Sequence, residues 1–272
     1  MRYTALPIVI LVALTVGCSS TASDSSGSPS GSGSGVEDPQ AVDARIEEII
    51  ADAEGYEVGV AIADLPDGDI RALGDESPFF AASTAKVLCA SAYYHLVETG
   101  EKSLDEPLGD YDAESQIEAM INQSNNDSWL LLMQSIGYPQ LIDYATSIGV
   151  VYDPEENLLT TTDMARILQS LSSGELLDPS HTEQLLDQMQ ETSNEDLIPA
   201  GIDPDISVHH KYGQIDNYLH DAALLGYRED TEALVIYTNR TGAGSEAEQV
   251  ELIHELARAA GDGLMARADQ DR

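Results

Sequence analysis

The apolar residues of this chain change their period twice, and that change limits the fold more than any other feature of its 272 residues. Near the start, "EDPQAVDARIEEIIADAEG" carries Val42, Ile46, Ile49 and Ile50 at i, i+4, i+7 and i+8, the stripe of an amphipathic helix stopped by Gly55. In "YEVGVAIADL" the large residues Val58, Val60 and Ile62 alternate with small ones, which predicts a strand; "PDG" is a turn and "DIRALG" the returning strand. From Ala82 to about Ala200 the spacing is helical: Ala82 to Glu98, then Ile117, Met120 and Ile121, Trp129 to Met133, and Met164 with Ile167, Leu168 and Leu171. After "IPAGIDPD" the period returns to two, and "ISVHHKYG", "NYLHDAALLGY" and "EALVIYTN" predict three strands with "RED" as a tight turn. A last helix is expected from Ser245 to about Ala266. Helix, two strands, a helical block, three strands and a helix make an α+β layer with a helical insertion.

The ends bound where such a domain works. "MRYTALPIVILVALTVGC" has one early Arg and an apolar run from Ala5 to Val16, too short to span a bilayer and suited to a signal peptide over residues 1–17. Its ending, Leu14-Thr15-Val16-Gly17-Cys18, resembles the lipobox of bacterial lipoproteins, which implies cleavage before Cys18 and lipidation of its thiol; a plain secretion signal is the alternative. Acyl chains on Cys18 would hold the protein at a membrane, on the extracytoplasmic side. Residues 18–35, nearly all Ser, Gly and Thr after Cys18, cannot bury enough apolar surface to offset the entropy of ordering and are expected to be a flexible spacer. The folded domain is expected over 36–266, with 36–82 and 201–266 forming the α/β part, 83–200 the helical part, and 267–272 a tail.

Composition narrows the partners. Against 49 acidic residues stand 12 basic ones, a formal charge of −37, so phosphate backbones are repelled and nucleic acid is not an expected partner. Acidity with so few lysines suits a surface adapted to high salt (halophilic); ordinary acidity in an Arg-preferring composition is the alternative. With Cys18 lipidated, Cys89 has no partner for a disulfide, and stability must come from packing. The six His and two Cys are scattered, and the neighbours His209 and His210 point to opposite faces of a strand, so neither a metal site nor another cofactor is expected. A monomer is the expected state.

Three short patterns carry chemistry. In "SPFFAASTAKVLCASAYYHL", Ser83 precedes Lys86 by three residues at a helix start, which sets the amine one turn above the hydroxyl on one face. Serine is a poor nucleophile until a base takes its proton, and a desolvated lysine can be that base; the helix start supplies N–H groups for a developing oxyanion. A surface Ser beside a snorkelling Lys is the plain alternative. In "INQSNNDSW", Ser124 and Asn126 can both face a cleft from one turn, or the stretch can simply cap a helix. In "HHKYGQ", Lys211 supplies a cation on a strand and Gly213 allows close approach to the backbone.

Ser-x-x-Lys opening the first long helix, Ser-x-Asn in the helical block and Lys-x-Gly on the first strand after it appear together in one order. In that order the chain resembles the penicillin-recognising serine hydrolases, most closely their class A β-lactamase-like branch, from about Asp43 to Ala260. "TTTDMARIL" at Thr160 to Leu168 and "LIPAGI" at Leu197 to Ile202 are similar to family segments in the same places. The resemblance implies an antiparallel sheet with the N- and C-terminal helices packed on it plus an all-α subdomain. It implies Ser83 as the acylated nucleophile, Lys86 as general base, Ser124 as the proton relay to the leaving group and Asn126 as a holder of the substrate amide. Lys211 would attract a carboxylate, with Tyr212, Gly213 and Gln214 lining the substrate strand and the N–H groups of Ser83 and Gln214 forming the oxyanion hole. The implied substrate is a D-alanyl-D-alanine-like cell-wall peptide or a β-lactam.

The chain departs from that pattern in three places. Tyr212 stands where the family offers a Thr or Ser hydroxyl; His220 is a candidate substitute, against an ordinary half-buried strand histidine. The family's omega loop holds a glutamate with an asparagine four residues on, and the nearest match, Asp153-Pro154-Glu155-Glu156-Asn157, sits in a loop that is short on both sides. Asp153, Glu155 and Glu156 are read as solvated acids in a turn, so β-lactams are expected to be processed weakly or slowly. The helical block between the first two motifs is also short. The alternative function is a binding lipoprotein of the envelope that has lost turnover.

Overall fold

The computed structural model describes residues 39–66 and 68–270. The expected signal peptide, Cys18 and the Ser/Gly-rich spacer lie outside the described residues. The elements in order are helix α1 (Pro39–Asp52), strands β1 (Tyr56–Asp64), β2 (Ile70–Gly74) and β3 (Phe79–Phe80), a 3-10 turn at Ala82–Ala85, and α2 (Lys86–Glu98). There follow β4 (Pro107–Leu108), β5 (Tyr111–Asp112), α3 (Ala113–Ile121), α4 (Asn126–Ile136), α5 (Tyr138–Ser147), β6 (Leu158–Leu159), α6 (Thr161–Ser172), α7 (Pro179–Gln188) and the short α8 (Ile198–Gly201). β7 (Ser207–Ile215), β8 (Tyr218–Tyr227), β9 (Asp230–Arg240) and α9 (Glu246–Gln270) close the chain.

Five strands form one sheet in the order β2-β1-β9-β8-β7, antiparallel throughout. The alternation of large and small residues in β1 acquires its reason here. Val58, Val60 and Ile62 join Leu234 and Ile236 of β9 on the face covered by Val42 and Ile46 of α1 and by Ile253 and Leu256 of α9. Ala61 and Ala63, with Ala233 and Val235, belong to the other face, which packs on the helical block through Met164, Ile167 and Leu168 of α6. Small residues on that face let α6 approach the sheet, and at Gly59 a Cβ would meet the Asp75 carbonyl oxygen at 2.5 Å as well as the Thr161 side chain at 3.2 Å. The sheet is thus buried on both faces, and each face owns a separate hydrophobic cluster.

Three elements differ from the sequence expectation. The helix expected from Ala82 begins as a 3-10 turn, because Ala82 takes a left-handed backbone conformation (φ +49°) just after the β3 pair. β3 itself pairs with β6, Phe79 with Leu159 and Phe80 with Leu158, a two-residue ribbon too short to leave a period in the sequence. The last helix runs on to Gln270, and the expected tail from residue 267 is helical to that point. Arg267 explains the extension: its guanidinium pairs with Asp64 at 2.9 Å and with the buried Glu232 of β9, which anchors the final turns to the sheet. Among the described residues no helix is long and apolar enough to cross a membrane.

Candidate active site

The first two motifs meet at one lysine. Lys86 opens α2, is fully buried, and its Nζ donates to the Ser124 carbonyl oxygen at 2.7 Å, to Asn126 Oδ1 at 2.7 Å and to Ser124 Oγ at 3.2 Å. Ser124 reaches this position through a left-handed backbone (φ +55°) in the break between α3 and α4. Asn125, between the two motif residues, is the helix cap: its side chain accepts from the Ser128 N–H. Neighbouring residues thus divide two tasks: Asn125 caps α4 while Ser124 and Asn126 face Lys86.

This arrangement fixes what the amine can do. Two of its acceptors are carbonyl-type oxygens that can only accept, so they hold two N–H groups in either protonation state. In the ammonium form the third N–H donates to Ser124 Oγ; after loss of that proton the lone pair faces the hydroxyl side of the site. Burial lowers the Lys86 pKa to about 8, which makes the neutral amine accessible near physiological pH. One turn further along α2, Cys89 is buried and its thiol is pushed up to about 12 by that burial, so it stays neutral beside the lysine.

The third motif brings the edge strand against Ser83. Gly213 of β7 has no room for a side chain: a Cβ would lie 3.0 Å from the Ser83 backbone nitrogen and 3.1 Å from the Ala81 carbonyl oxygen. On β7 the His210 N–H turns away from β8 and donates to the Met189 carbonyl at 2.7 Å. The two-residue period of a strand directs the N–H groups of Tyr212 and Gln214 to the same open edge, beside Ser83. A cavity of about 360 Å³ opens there, with Ser83, Asn126, Gln214 and Asn157 on its wall.

Lys211, Tyr212 and His220 sit otherwise than as contacts on that wall. Lys211 is fully buried, its Nζ donating to the Tyr212 carbonyl at 3.0 Å and lying 4.0 Å from the centre of the Tyr212 ring. Burial and the neighbouring Lys86 charge lower its pKa to about 7. The Tyr212 hydroxyl lies 3.0 Å from Ser193 Oγ, so it does not stand in for the family's Thr or Ser hydroxyl at the cavity. His220 is fully buried: Nε2–H donates to the Phe80 carbonyl at 2.9 Å and Nδ1 accepts from the Thr238 N–H at 3.0 Å. With both nitrogens occupied and its pKa lowered by burial to about 4, His220 is a neutral structural residue that holds β3, and through it the turn bearing Ser83, against the sheet.

The loop between α5 and α6 divides into two parts with different roles. Asp153, Glu155 and Glu156 are exposed, and Asp153 Oδ1 accepts from the N–H groups of Glu155 and Glu156, closing a turn. Asn157 is buried in a left-handed conformation (φ +54°); its Nδ2 donates to the Ala82 carbonyl at 3.0 Å and its Oδ1 accepts from the Tyr152 hydroxyl at 3.0 Å. No aspartate or glutamate lines the cavity among the described residues. Sequence reasoning missed Asn157 as a support of the nucleophile turn, and missed the aromatic and aliphatic lining from Phe80, Trp129, Leu130, Tyr138 and Ile215. One acidic group elsewhere, Glu98, Asp178 and His181, brings possible metal-ligand atoms within 4.8 Å of one another. Its atoms already serve the start of α7: Glu98 Oε1 accepts from Asp178 N–H and His181 Nδ1–H, and Asp178 caps the helix.

A five-stranded antiparallel sheet, a helical block and a Ser-Lys-Ser-Asn cluster at their junction define a serine-hydrolase type of site. The model of the beta-lactamase enzyme family matches residues 41–264, and the chain belongs to that family and, with it, to the penicillin-recognising serine hydrolases. Solved structures agree in fold. A point mutant of PBP-A, in an acyl-enzyme complex with penicillin G, is similar at TM-score 0.75 and 22% identity over 86% of this chain and 98% of that one. A β-lactamase from Xanthomonas campestris pv. campestris gives TM-score 0.75 and 23% identity over 82% and 97% of the two chains. A β-lactamase from Chitinophaga pinensis gives 0.74 and 22% over 81% and 98%. Among curated proteins none matches the chain.

Proposed function

We propose that the protein is an extracytoplasmic, lipid-anchored hydrolase that works through an acyl-enzyme on Ser83. Its substrates would be cell-wall peptides of the D-alanyl-D-alanine kind or related amides and esters, with β-lactams processed slowly. The observation that carries this reading is the buried Lys86, held by Ser124 and Asn126 one helical turn beyond Ser83 and beside the open edge of β7. The Ser83 Oγ bonds to the substrate carbonyl carbon while its proton passes to the neutral Lys86 amine. The carbonyl electron pair collects on an oxygen facing the N–H groups of Ser83 and Gln214. As the carbon–nitrogen or carbon–oxygen bond breaks, Ser124 Oγ passes the lysine's proton to the leaving atom. Asn126 keeps one side-chain oxygen on Lys86 and has its amide NH₂ left to donate to the substrate. Lys211 acts from beneath the strand, as a charge that favours a substrate carboxylate.

The second step needs an activated water, and among the described residues no carboxylate lines the cavity to provide one. That favours a long-lived adduct, and it supports the second reading, a binding lipoprotein that has lost turnover. PBP-A, one of the similar folds, has been captured as an acyl-enzyme with penicillin G. Intact-protein mass spectrometry of the purified chain with penicillin G, beside Ser83→Ala, tests the acylation step. A Ser83-dependent adduct, decaying or lasting, supports Ser83 as the acylated nucleophile; Ser83-dependent release of D-alanine from an acyl-D-alanyl-D-alanine peptide then supports the hydrolase, and its absence the binding lipoprotein; no adduct in folded protein removes Ser83 as the nucleophile for β-lactams. Anchoring through Cys18 is supported by the lipobox-like segment, and incorporation of labelled fatty acid that Cys18→Ala abolishes would test it.

A further inference from the structure

The wall of the cavity beside Ser83 is strongly asymmetric in chemistry. Its polar side chains are those of Ser83, Asn126, Asn157 and Gln214, and among the described residues no charged side chain lines it. The rest is apolar, and three of its apolar members are open to solvent: Leu130 at 56%, Tyr138 at 42% and Ile215 at 44% exposure. Leu130 belongs to α4, Tyr138 begins α5 and Ile215 ends β7, so three separate elements turn apolar side chains toward one opening. Trp129 continues the lining inward, and the Lys86 ammonium lies 5.1 Å from the centre of its ring. The apolar surface therefore reaches the reacting centre itself. The loop over residues 148–160 gives only Pro154 and Asn157 to the wall, held there by Asn157 on the Ala82 carbonyl and by the Phe79–Leu159 pairing, and leaves Leu130, Tyr138 and Ile215 uncovered.

Isolated exposed leucines on a surface need no explanation, but three converging on a nucleophile do. We propose that this wall is a subsite for a neutral, apolar acyl group, aryl or branched alkyl, so that the acyl side of the substrate is selected by hydrophobic burial. The proposal rests on Ser83 being the nucleophile and deepens that reading by naming the acyl donor. A volume of about 360 Å³ is at the small end of ligand pockets and holds one ring or branched chain beside the scissile carbonyl. A charged acyl chain would lose hydration there and find no counter-ion among the lining residues.

Three esters with one leaving group test this: p-nitrophenyl phenylacetate, p-nitrophenyl acetate and mono-p-nitrophenyl succinate. Each kcat/KM is divided by the ester's own alkaline hydrolysis rate and corrected for the Ser83→Ala background. Salt of about 1 M screens the overall charge of −37, so that repulsion of the succinyl ester is not mistaken for selection. The expected order is phenylacetyl above acetyl by roughly ten- to a hundredfold, with succinyl lowest, as burial of one ring predicts. Leu130→Asn combined with Tyr138→Ser is expected to cut the phenylacetyl-to-acetyl ratio at least tenfold. Ile215→Asn, on a different element, is the independent second variant. Equal corrected rates, or a preference unchanged in both variants, would overturn the subsite while leaving the hydrolase intact. No Ser83-dependent turnover of any ester by folded protein would overturn the hydrolase reading, and the subsite with it.

Discussion

Gly213 packs its bare Cα against the backbone of Ser83, so closely that a single methyl group would lie 3.0 Å from the Ser83 nitrogen and 3.1 Å from the Ala81 oxygen. Both neighbours are main-chain atoms in a turn already fixed by hydrogen bonds, and neither can swing aside as a side-chain end would. The edge strand and the nucleophile turn are therefore set in register by the absence of a side chain.

Gly213→Ala should push β7 away from that turn by a few tenths of an ångström and spread the two N–H groups that face the developing oxyanion. The expected loss is on the order of a hundredfold in the Ser83 acylation rate, with a far-UV circular dichroism spectrum like that of the unmutated protein. Acylation within threefold of the unmutated rate would show that the close approach has no part in catalysis.

The two buried lysines predict different pH profiles for charged and neutral substrates. In the proposed mechanism Lys86 must be neutral to accept the serine proton, so with its pKa lowered by burial to about 8 the acylation rate should rise tenfold per pH unit below that value and level off above it. A neutral ester should show this rise and plateau alone. Lys211, lowered by burial and by Lys86 to about 7, loses the charge that favours a carboxylate as pH rises. For a carboxylate-bearing β-lactam the second-order acylation rate should therefore peak between about pH 7 and 8 and then fall. Identical profiles for both substrates would remove the Lys211 charge from recognition.

The omega-loop question has a direct test in Asp153. Its carboxylate is exposed and accepts from two N–H groups of its own turn, so it is spent on local structure. Asp153→Asn should leave the decay rate of the penicillin adduct within a factor of two, measured by mass spectrometry after excess drug is removed. A tenfold slower decay would make Asp153 the group that activates water.

How much of this was legible in the sequence depended on whether a signal was periodic or local. The sheet, the terminal helices and the α6 segment all repeat a period of two or 3.6 over many residues, and each was expected within a few positions of where it lies. Ser83, Lys86, Ser124 and Asn126 drew attention through the joint order of their motifs rather than through any one spacing, and the fold brings Ser124 and Asn126 to Lys86. The 158–159 ribbon and the left-handed backbones of Ala82, Ser124 and Asn157 are single-residue events that leave no period. Leu130 is different again. It lies in an apolar run of helical spacing, Trp129 to Met133, yet is 56% exposed on the cavity rim. Which member of such a run faces solvent depends on what packs over it, and that is set by other parts of the chain.

His210 lies further back along β7, the strand that ends in Ile215 of that rim, and ties stability to pH. It is fully buried, with Nδ1 at 2.9 Å from Asp221 Oδ1, and Nε2 at 3.1 Å from Glu195 Oε1 and 3.0 Å from Thr192 Oγ1. Burial alone would lower its pKa, but the Asp221 charge and the hydrogen bonds of Asp221 and Glu195 outweigh burial and raise it to about 9. The folded state therefore binds a proton that the unfolded chain, with a histidine near 6.5, gives up over the window between those values. The contribution is fully present below about pH 6.5 and is lost as pH rises through about 9, amounting to about 2 to 3 kcal/mol. The buried lysines act with the opposite sign above pH 7, so the stability of the protein alone would mix the two. The gap in unfolding free energy between the unmutated chain and His210→Gln isolates the histidine. That gap should be widest at pH 6 and narrow by about 2 kcal/mol or more by pH 9.5. A gap independent of pH would mean that His210 is neutral in the fold, holding Asp221 through Nδ1–H as a neutral donor beside the N–H groups of Ile198 and Ala222.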